Sequence, residues 1–409
     1  MKTKAFHQEW MVVVISGSTT ILVCLLILLA LIPAVSPSTG ALVADSLRAI
    51  FGPGPVGMLE SVSFQLQDTF NQARSQLDGG GAQISLSSPQ PTAIAITAPP
   101  PTQTPVVIQN TAVPEATPVV PATPTAIPTR DILVDAPQIG WQSYGPSENG
   151  VPIMANTLIK LDPSRSYSAV ALVRIDLSRL QLHLMAGYLE PAHPSQISIL
   201  IPELGKVPSV DQSHLIAAFN GGFKGINGRY GMMVNGFPLL PPQDGLGTVA
   251  IYRDGHVQMG SWGLDIFPTA DMIAFRQNCP PLIDAGQINP ALYLNNRKAW
   301  GYTGNTDITW RTGLGITQDG RYLIYAVGNG SSAAVLADAL HQAGAYMAMQ
   351  LDINQFYAHF NTYTYQPSSD PAATGGFQLT GDRLVAEMIN NPHLYLTPNP
   401  RDFFYLTLP

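Results

Sequence analysis

The segment from Gly79 to Thr129 decides how this chain is organised. Its stretch "PQPTAIAITAPPPTQTPVVIQNTAVPEATPVVPATPTAIPT" repeats Pro and Thr and carries a single charge, Glu115. Such a tract buries no core and stays extended, at ~3.1 Å per residue where it is polyproline-like. Its reach is on the order of 150 Å at most, enough to push a domain through or beyond a cell-wall layer. Whatever folds must lie on either side of it. Residues 79–130 therefore read as a disordered linker, and residues 131–409 as the globular domain that holds the function.

Upstream, "MVVVISGSTTILVCLLILLALIP" at residues 11–33 carries no charge. It is long enough to span a bilayer core of ~30 Å at ~1.5 Å per residue. Lys2 and Lys4 precede it, which places residues 1–10 in the cytoplasm by the positive-inside rule. A cleaved signal peptide is the rival reading, with "PAVS" as the cleavage point, but its apolar region usually runs only ~7–15 residues. An uncleaved anchor is favoured. The chain is then a single-pass cell-membrane protein that meets the lipid bilayer through residues 11–33, with its C-terminal domain extracytoplasmic. Between anchor and linker, residues 40–78 show helical spacing, with Leu59, Val62, Leu66, Phe70, Ala73 and Leu77 on one stripe. The preferred reading is a juxtamembrane helix packed on an unspecified surface; self-association or lying along the membrane is the alternative. Asp68 and Asp78 argue against electrostatic attraction to anionic lipid.

Composition excludes other classes. Only 11% of residues are charged, the net charge is −7, and no basic cluster occurs, so nucleic acid is not a partner. Cys24 and Cys279 lie far apart, one in the apolar run, and read as free thiols. No HxxxH or CxxC spacing suggests a metal, and no cofactor is called for.

The domain reads as α+β: a mixed β-sheet with few helices. "VAIYRDGHVQMGSW" and "LGITQDGRYLIYAV" are Asp-Gly hairpins, which makes Asp254 and Asp319 turn residues. Asp244 and Asp284 also read first as turn residues. "AVALVRIDLSRLQLHLMAG" predicts two strands joined near Leu177 to Arg179. "AVLADALHQAG" predicts a helix capped by Ser331 or Ser332 and ended by Gly344. "GNGSS", Gly328 to Ser332, reads as the loop before it; a phosphate could sit on such a helix start, but a plain cap uses the same residues.

Four segments in order carry a resemblance: "AAFNGGFKG" (Ala217–Gly225), "CPPLIDAGQ" (Cys279–Gln287), "WRTGLGITQDGRYLIYAV" (Trp310–Val327) and "ADALHQAGAYMAMQLD" (Ala337–Asp352). Together they resemble the phosphodiester glycosidase family, with its Asn-Gly-Gly-Phe turn, its Arg-Thr before a Gly-containing strand, and a strand ending Leu-Asp-Gly-Gly-Gly-Ser. The resemblance implies hydrolysis at the anomeric carbon of a sugar joined through a phosphodiester, with a carbohydrate or phosphoglycan as substrate. A phosphate monoester leaves readily, so one carboxylate suffices where glycosidases ordinarily need two. Asp352 is then the nucleophile or base and Arg311 the phosphate clamp. Asn220, Gly221, Gly222 and Thr312 match the family's substrate-binding positions. Lys224 adds positive charge, and Asn329 and Asn354 are further substrate contacts, Asn329 standing where the family pattern carries Asp. After Asp352 the glycines of the pattern are replaced by Ile353, Asn354, Gln355 and Phe356.

The period-two reading of "MAMQLDINQFYAHF" puts Gln350, Asp352 and Asn354 on one face of a strand and Met349, Leu351 and Ile353 on the other. Beyond it, Tyr357, His359, Asn361, Tyr363 and Tyr365 recur at alternate positions and read as half-buried strand residues, with contact to sugar as the lesser reading. The expected protein is an extracytoplasmic hydrolase of an envelope or exopolysaccharide glycan. The alternative is a non-catalytic glycan-binding module that kept the fold after losing the glycine-rich turn.

Overall fold

The computed structural model describes residues 37–87 and 131–409, apart from residues 149, 195–196, 295–299, 301–303 and 368–376. The apolar run at 11–33, with Cys24, and the linker from residue 88 to 130 lie outside the described residues. Among the described residues no helix is long and apolar enough to cross a membrane.

Two helices come first, α1 (Pro37–Phe51) and α2 (Pro53–Leu77). The single helical run expected over 40–78 is broken at Gly52, whose φ of 80° suits glycine, and Pro53 then starts the second helix. The apolar stripe of α2 turns outward. Val62, Leu66, Phe70 and Leu77 are exposed, while the buried face carries Val56, Gly57, Ser61, Ser63, Phe64 and Ser75. Residues 79–87, expected as linker, instead pack on the domain: Ile84 is buried, and the N–H groups of Gln83 and Ser87 donate to the carbonyls of Tyr167 and Leu384.

The strands that position the site begin with β1 (Met154–Ile159), β2 (Ala169–Asp176), β3 (Gln181–Met185) and β4 (Leu215–Asn220). Next come β5 (Gly247–Tyr252), β6 (Val257–Ser261) and β7 (Met272–Gln277). Then follow β8 (Thr309–Ile316), β9 (Tyr322–Ser331), helix α3 (Ala333–Gln342) and β10 (Met347–Ile353). β11 (Phe360–Pro367), β12 (Phe377–Arg383) and β13 (Phe403–Thr407) close the chain. An eight-stranded sheet has β1–β2–β9–β8–β10 at its centre; a five-stranded sheet runs β12–β11–β4–β13–β3; a second contains β6–β5–β7. The ladders between these strands are all antiparallel.

Both Asp-Gly hairpins form, as β5–β6 and β8–β9, with the Asp254 and Asp319 carboxylates accepting from the N–H groups of His256 and Arg321. The two strands expected from "AVALVRIDLSRLQLHLMAG" are β2 and β3, but they enter different sheets. The "GNGSS" loop is not a loop: β9 runs through Ser331, and Ser332 caps α3 by accepting from the Val335 N–H at 3.2 Å.

β2 shows why the layers stack as they do. Its residues Ala169, Ala171, Val173 and Ile175 enter the core shared with Phe219, Phe360 and Phe404 of the neighbouring sheet. Its alternate residues Val170 and Leu172 join the core under α3, with Leu336, Ala337 and Leu340. At Gly313 of β8, a Cβ would stand 3.1 Å from the Leu336 and Leu340 methyls, so glycine lets the helix lie close on the strand.

Candidate active site

Asp352 is the penultimate residue of β10, and its N–H donates to the Gly221 carbonyl at 3.1 Å. That bond ties the end of the large sheet to the Asn-Gly-Gly turn that leaves β4 in the other sheet. The Asp352 side chain is buried; its Oδ1 accepts from the Ile353 N–H at 2.8 Å and its Oδ2 from Arg401 Nη2 at 2.5 Å. The same Nη2 donates to the Gly222 carbonyl at 2.8 Å, and the guanidinium lies 4.6 Å from the centre of the Tyr357 ring. Lys224 Nζ donates to the Tyr357 hydroxyl at 2.9 Å and pairs with the Asp45 carboxylate of α1. A cavity of about 40 Å³ lies among Asp352, Lys224, Tyr357 and Arg401, and Arg48 of α1 and Glu60 of α2 also line it. A water molecule's share of liquid is ~30 Å³, so no sugar fits while the helices stay in place. Far larger clefts lie elsewhere, one of about 1130 Å³ along α2 and one of about 790 Å³ beside Trp262; the first is bordered by the Arg74–Asp78 pair, but that pair is exposed where Asp352–Arg401 is buried.

Burial dominates the electrostatics here. It pushes the Asp352 carboxyl above the usual carboxylate range, against the opposing pull of Arg401 and Lys224. Burial also lowers Arg401, yet Asp352, Asp402 and Tyr357 outweigh it and hold the guanidinium firmly charged. Desolvation and the nearby Arg401 lower the Lys224 ammonium, with Asp45 and Asp352 opposing. On the domain side the result is one carboxylate flanked by two cations, with the Arg48–Glu60 pair of the helices opposite, an arrangement suited to an anion bound next to an attacking oxygen.

Several residues expected to touch substrate serve the scaffold instead. Asn220 donates to Thr312 Oγ1 at 2.9 Å and to the Gly221 carbonyl at 3.0 Å, and accepts from the Tyr325 hydroxyl and the His359 N–H. Its amide is fully engaged, so it latches the strands rather than bonding a sugar. Thr312 donates to the Asp352 carbonyl at 2.5 Å and positions the carboxylate through the backbone. Gly221 and Gly222 are glycine for close approach, not for positive φ: a Cβ would meet the Asp402 carboxylate at 2.1 Å in one case and Arg276 Cζ at 2.9 Å in the other.

Arg311 is not the clamp. It is 1% exposed and donates to the carbonyls of Ser331, Gly304 and Asp307 and to Gln350 Oε1, and full burial lowers its pKa to about 10. With four of its five N–H donors held by protein acceptors, and buried away from the cavity around Asp352, the guanidinium is a scaffold group. Asn329 lies on β9 beside the cleft along α2, away from the cavity around Asp352. Asn354 borders both. Its φ of 84° shows that the turn after Asp352 keeps a left-handed backbone, with Asn in place of glycine.

The cation beside Asp352 that the sequence reading missed is Arg401, followed in the chain by buried Asp402. Asp402 Oδ2 accepts from Arg276 Nε at 2.8 Å and from the Gly222 N–H at 3.0 Å, with both side chains of the ion pair almost fully buried. Of the alternating Tyr/His set, Tyr357 lines the cavity, while His359, Asn361 and Tyr363 are core residues. Cys279 is a free, buried thiol pushed up to about 12 by desolvation. Among the described residues no cluster of His, Cys, Asp and Glu has the makings of a metal site.

Residues 213–352 match the phosphodiester glycosidase family. The matched phosphodiester glycosidase segment begins just before β4 and ends on Asp352, so it contains the Asn-Gly-Gly turn and the carboxylate but not Arg401. No curated protein matches the chain. Among solved structures, the zebrafish N-acetylglucosamine-1-phosphodiester alpha-N-acetylglucosaminidase catalytic domain, auto-inhibited by its pro-peptide, is 17% identical. That likeness covers 66% of this chain and 87% of that one, at a TM-score of 0.38. A hypothetical protein from Synechocystis is 11% identical over 63% of this chain and 62% of that one, at a TM-score of 0.34.

His359 gives the fold around Asp352 a predictable pH response. Burial lowers its imidazole from 6.5 to about 4, and its Nδ1 has no hydrogen-bond partner. A depressed histidine stabilises the fold above its unfolded pKa, and that contribution is lost as pH falls through the folded value. Unfolding free energy is expected to fall by about 3 kcal/mol between pH 6.5 and 4 from this group. Denaturant titrations across that window should show a shallower pH dependence in His359→Asn.

Proposed function

We propose that the protein is a membrane-anchored hydrolase that cleaves a sugar–phosphodiester bond in a glycan outside the cytoplasmic membrane. The observation that carries this reading is the buried Asp352 carboxylate bonded to Arg401 and adjoining Lys224, at the end of the segment that matches the family. Arg401 and Lys224 hold the phosphate oxygens. Asp352 supplies an electron pair to the anomeric carbon, either directly or through a water whose proton it takes. The bond from that carbon to the phosphate oxygen breaks, and the phosphate monoester leaves with the bonding pair. On the direct route a water then attacks the same carbon, breaks its bond to Asp352 and leaves its proton on that carboxylate, freeing the sugar. Because that oxygen leaves as part of a stable anion, it needs no proton from a second carboxylate. Retention or inversion at the released sugar distinguishes the direct route from the water route.

In this reading the α1–α2 pair is a cover. Asp45 holds Lys224 with a carboxylate, so an anion of the protein sits where the substrate's anion belongs. Asp45→Ala is expected to raise kcat/KM by up to about fivefold, the scale of a half-exposed ion pair worth ~1 kcal/mol. No rise, with folding unchanged, would mean that Asp45 does not compete for the site.

The reading as a whole is tested by incubating the full chain in detergent with a panel of sugar-1-phosphodiesters and following free reducing sugar. Release that is lost in Asp352→Asn supports a hydrolase. Retention of a phosphoglycan without any release would favour the glycan-binding alternative.

A further inference from the structure

We infer that the outward face of α1 and α2 lies on the surface of the bilayer. Helices on a protein surface normally bury apolar residues and show charge to water. This pair does the reverse. Between residues 37 and 73 the only charged side chains are Asp45, Arg48, Glu60 and Asp68. All four are taken up in ion pairs with one another or with the domain: Asp45 with Lys224, Arg48 with Asp45 and Glu60, Asp68 with Arg165. Three serines, Ser61, Ser63 and Ser75, also lie on the buried side of α2. The outward side shows Ile50, Phe51, Met58, Val62, Leu66 and Phe70, each 51–72% exposed. A contiguous apolar surface of this kind marks an interaction site rather than a solvated face.

The occupant is set by where the helices begin. The uncharged run ends at Pro33 and α1 starts at Pro37, so the connecting residues span at most about 15 Å. The inference rests on the reading of residues 11–33 as a membrane anchor. Given that anchor, α1 begins beside the headgroups, and an apolar face without charge is what an interfacial helix lays against lipid. The one cation near that face, exposed Arg74 at the end of α2, is paired with Asp78, so attachment is chiefly hydrophobic and depends little on anionic lipid.

The test uses the full chain in phosphatidylcholine vesicles, in a Cys24→Ser background that leaves buried Cys279 in place. A fluorophore that brightens in apolar surroundings is attached to Val62→Cys, Phe70→Cys or Asp319→Cys. The last lies at the far end of the β8–β9 hairpin from Thr309, which borders the same cleft as Leu66 and Phe70. Flotation at alkaline pH first reports whether the chain is held by the bilayer. Doxyl-labelled lipid is expected to quench the probes at 62 and 70 severalfold more than the probe at 319, with iodide showing the opposite order. A chain that floats while iodide reaches 62 and 70 as readily as 319 would overturn the inference and leave the anchor standing. Probes shielded from both quenchers, with energy transfer between labelled copies, would overturn it in favour of a second copy on that face. A chain that does not float would overturn both the anchor and the inference.

Discussion

Asp352→Asn is expected to lower kcat on sugar-1-phosphodiesters by a factor on the order of a thousand or more, with little change in secondary structure. Removal of a single acid–base group typically costs 10²–10⁴, and here the other carboxylate lining the cavity, Glu60 of α2, is tied up with Arg48 rather than free to take over. The amide keeps the shape of the carboxylate, and its single oxygen still accepts from one of the two donors, Arg401 or the Ile353 N–H; the Asp352 N–H bond to the Gly221 carbonyl is untouched, so the turn survives. What it loses is the lone pair basic enough to attack or to take a proton. Wild-type rate should also rise through an acid limb displaced above the ordinary aspartate range, because desolvation raises Asp352 and only its ionised form works. Steady-state kinetics from acid to neutral pH measure both. A variant that keeps a tenth or more of wild-type kcat would remove Asp352 from the chemistry.

The second large effect is on stability. Arg276→Met is expected to cost about 3–5 kcal/mol, the usual penalty for stranding one member of a buried ion pair. Asp402 would be left charged and unpaired, and the carbonyls of Phe223, Tyr230 and Gln277 would each lose a donor. For a domain of this size that is a fall in Tm on the order of 10 °C. Arg276→Lys should fall between the two, since an ammonium keeps the charge but cannot reproduce the guanidinium's fork of donors. Asp402→Leu added to Arg276→Met should recover only part of the loss, because the Gly222 N–H would still lack its acceptor. Thermal melts of the three variants decide this, and a single variant within 1 °C of wild type would show that the pair does not hold the Asn-Gly-Gly turn in place.

Local signals in the sequence translated well. Both Asp-Gly turns, the Ser332 cap, Gly344 after α3 and the strand ending at Asp352 depend on neighbours within a few residues, and each formed. Long-range partnerships did not show. Arg401 and Asp402 are separated from Gly221 and Asp352 by whole sheets in the chain, and only the antiparallel pairing of β13 with β4 brings them together. The one hint was "PRDFF", two adjacent charges before a β-rich run in a chain where charge is scarce. Residue type alone also misled: Asn220 and Arg311 are polar enough to bind a ligand, yet their acceptors and donors are consumed inside the fold. For α2 the periodicity found the right stripe and the wrong side, because a buried network of serines and paired charges took the inward face.

The central claim is that the bond broken lies between carbon and oxygen at the sugar, not between phosphorus and oxygen. Hydrolysis of a sugar-1-phosphodiester in ¹⁸O-water, followed by mass spectrometry of both products, tests it directly. The account predicts the heavy oxygen on the anomeric carbon of the released sugar and none in the phosphate monoester. Label in the phosphate would contradict it, and would make the Arg401–Lys224 site that of a phosphodiesterase attacking phosphorus.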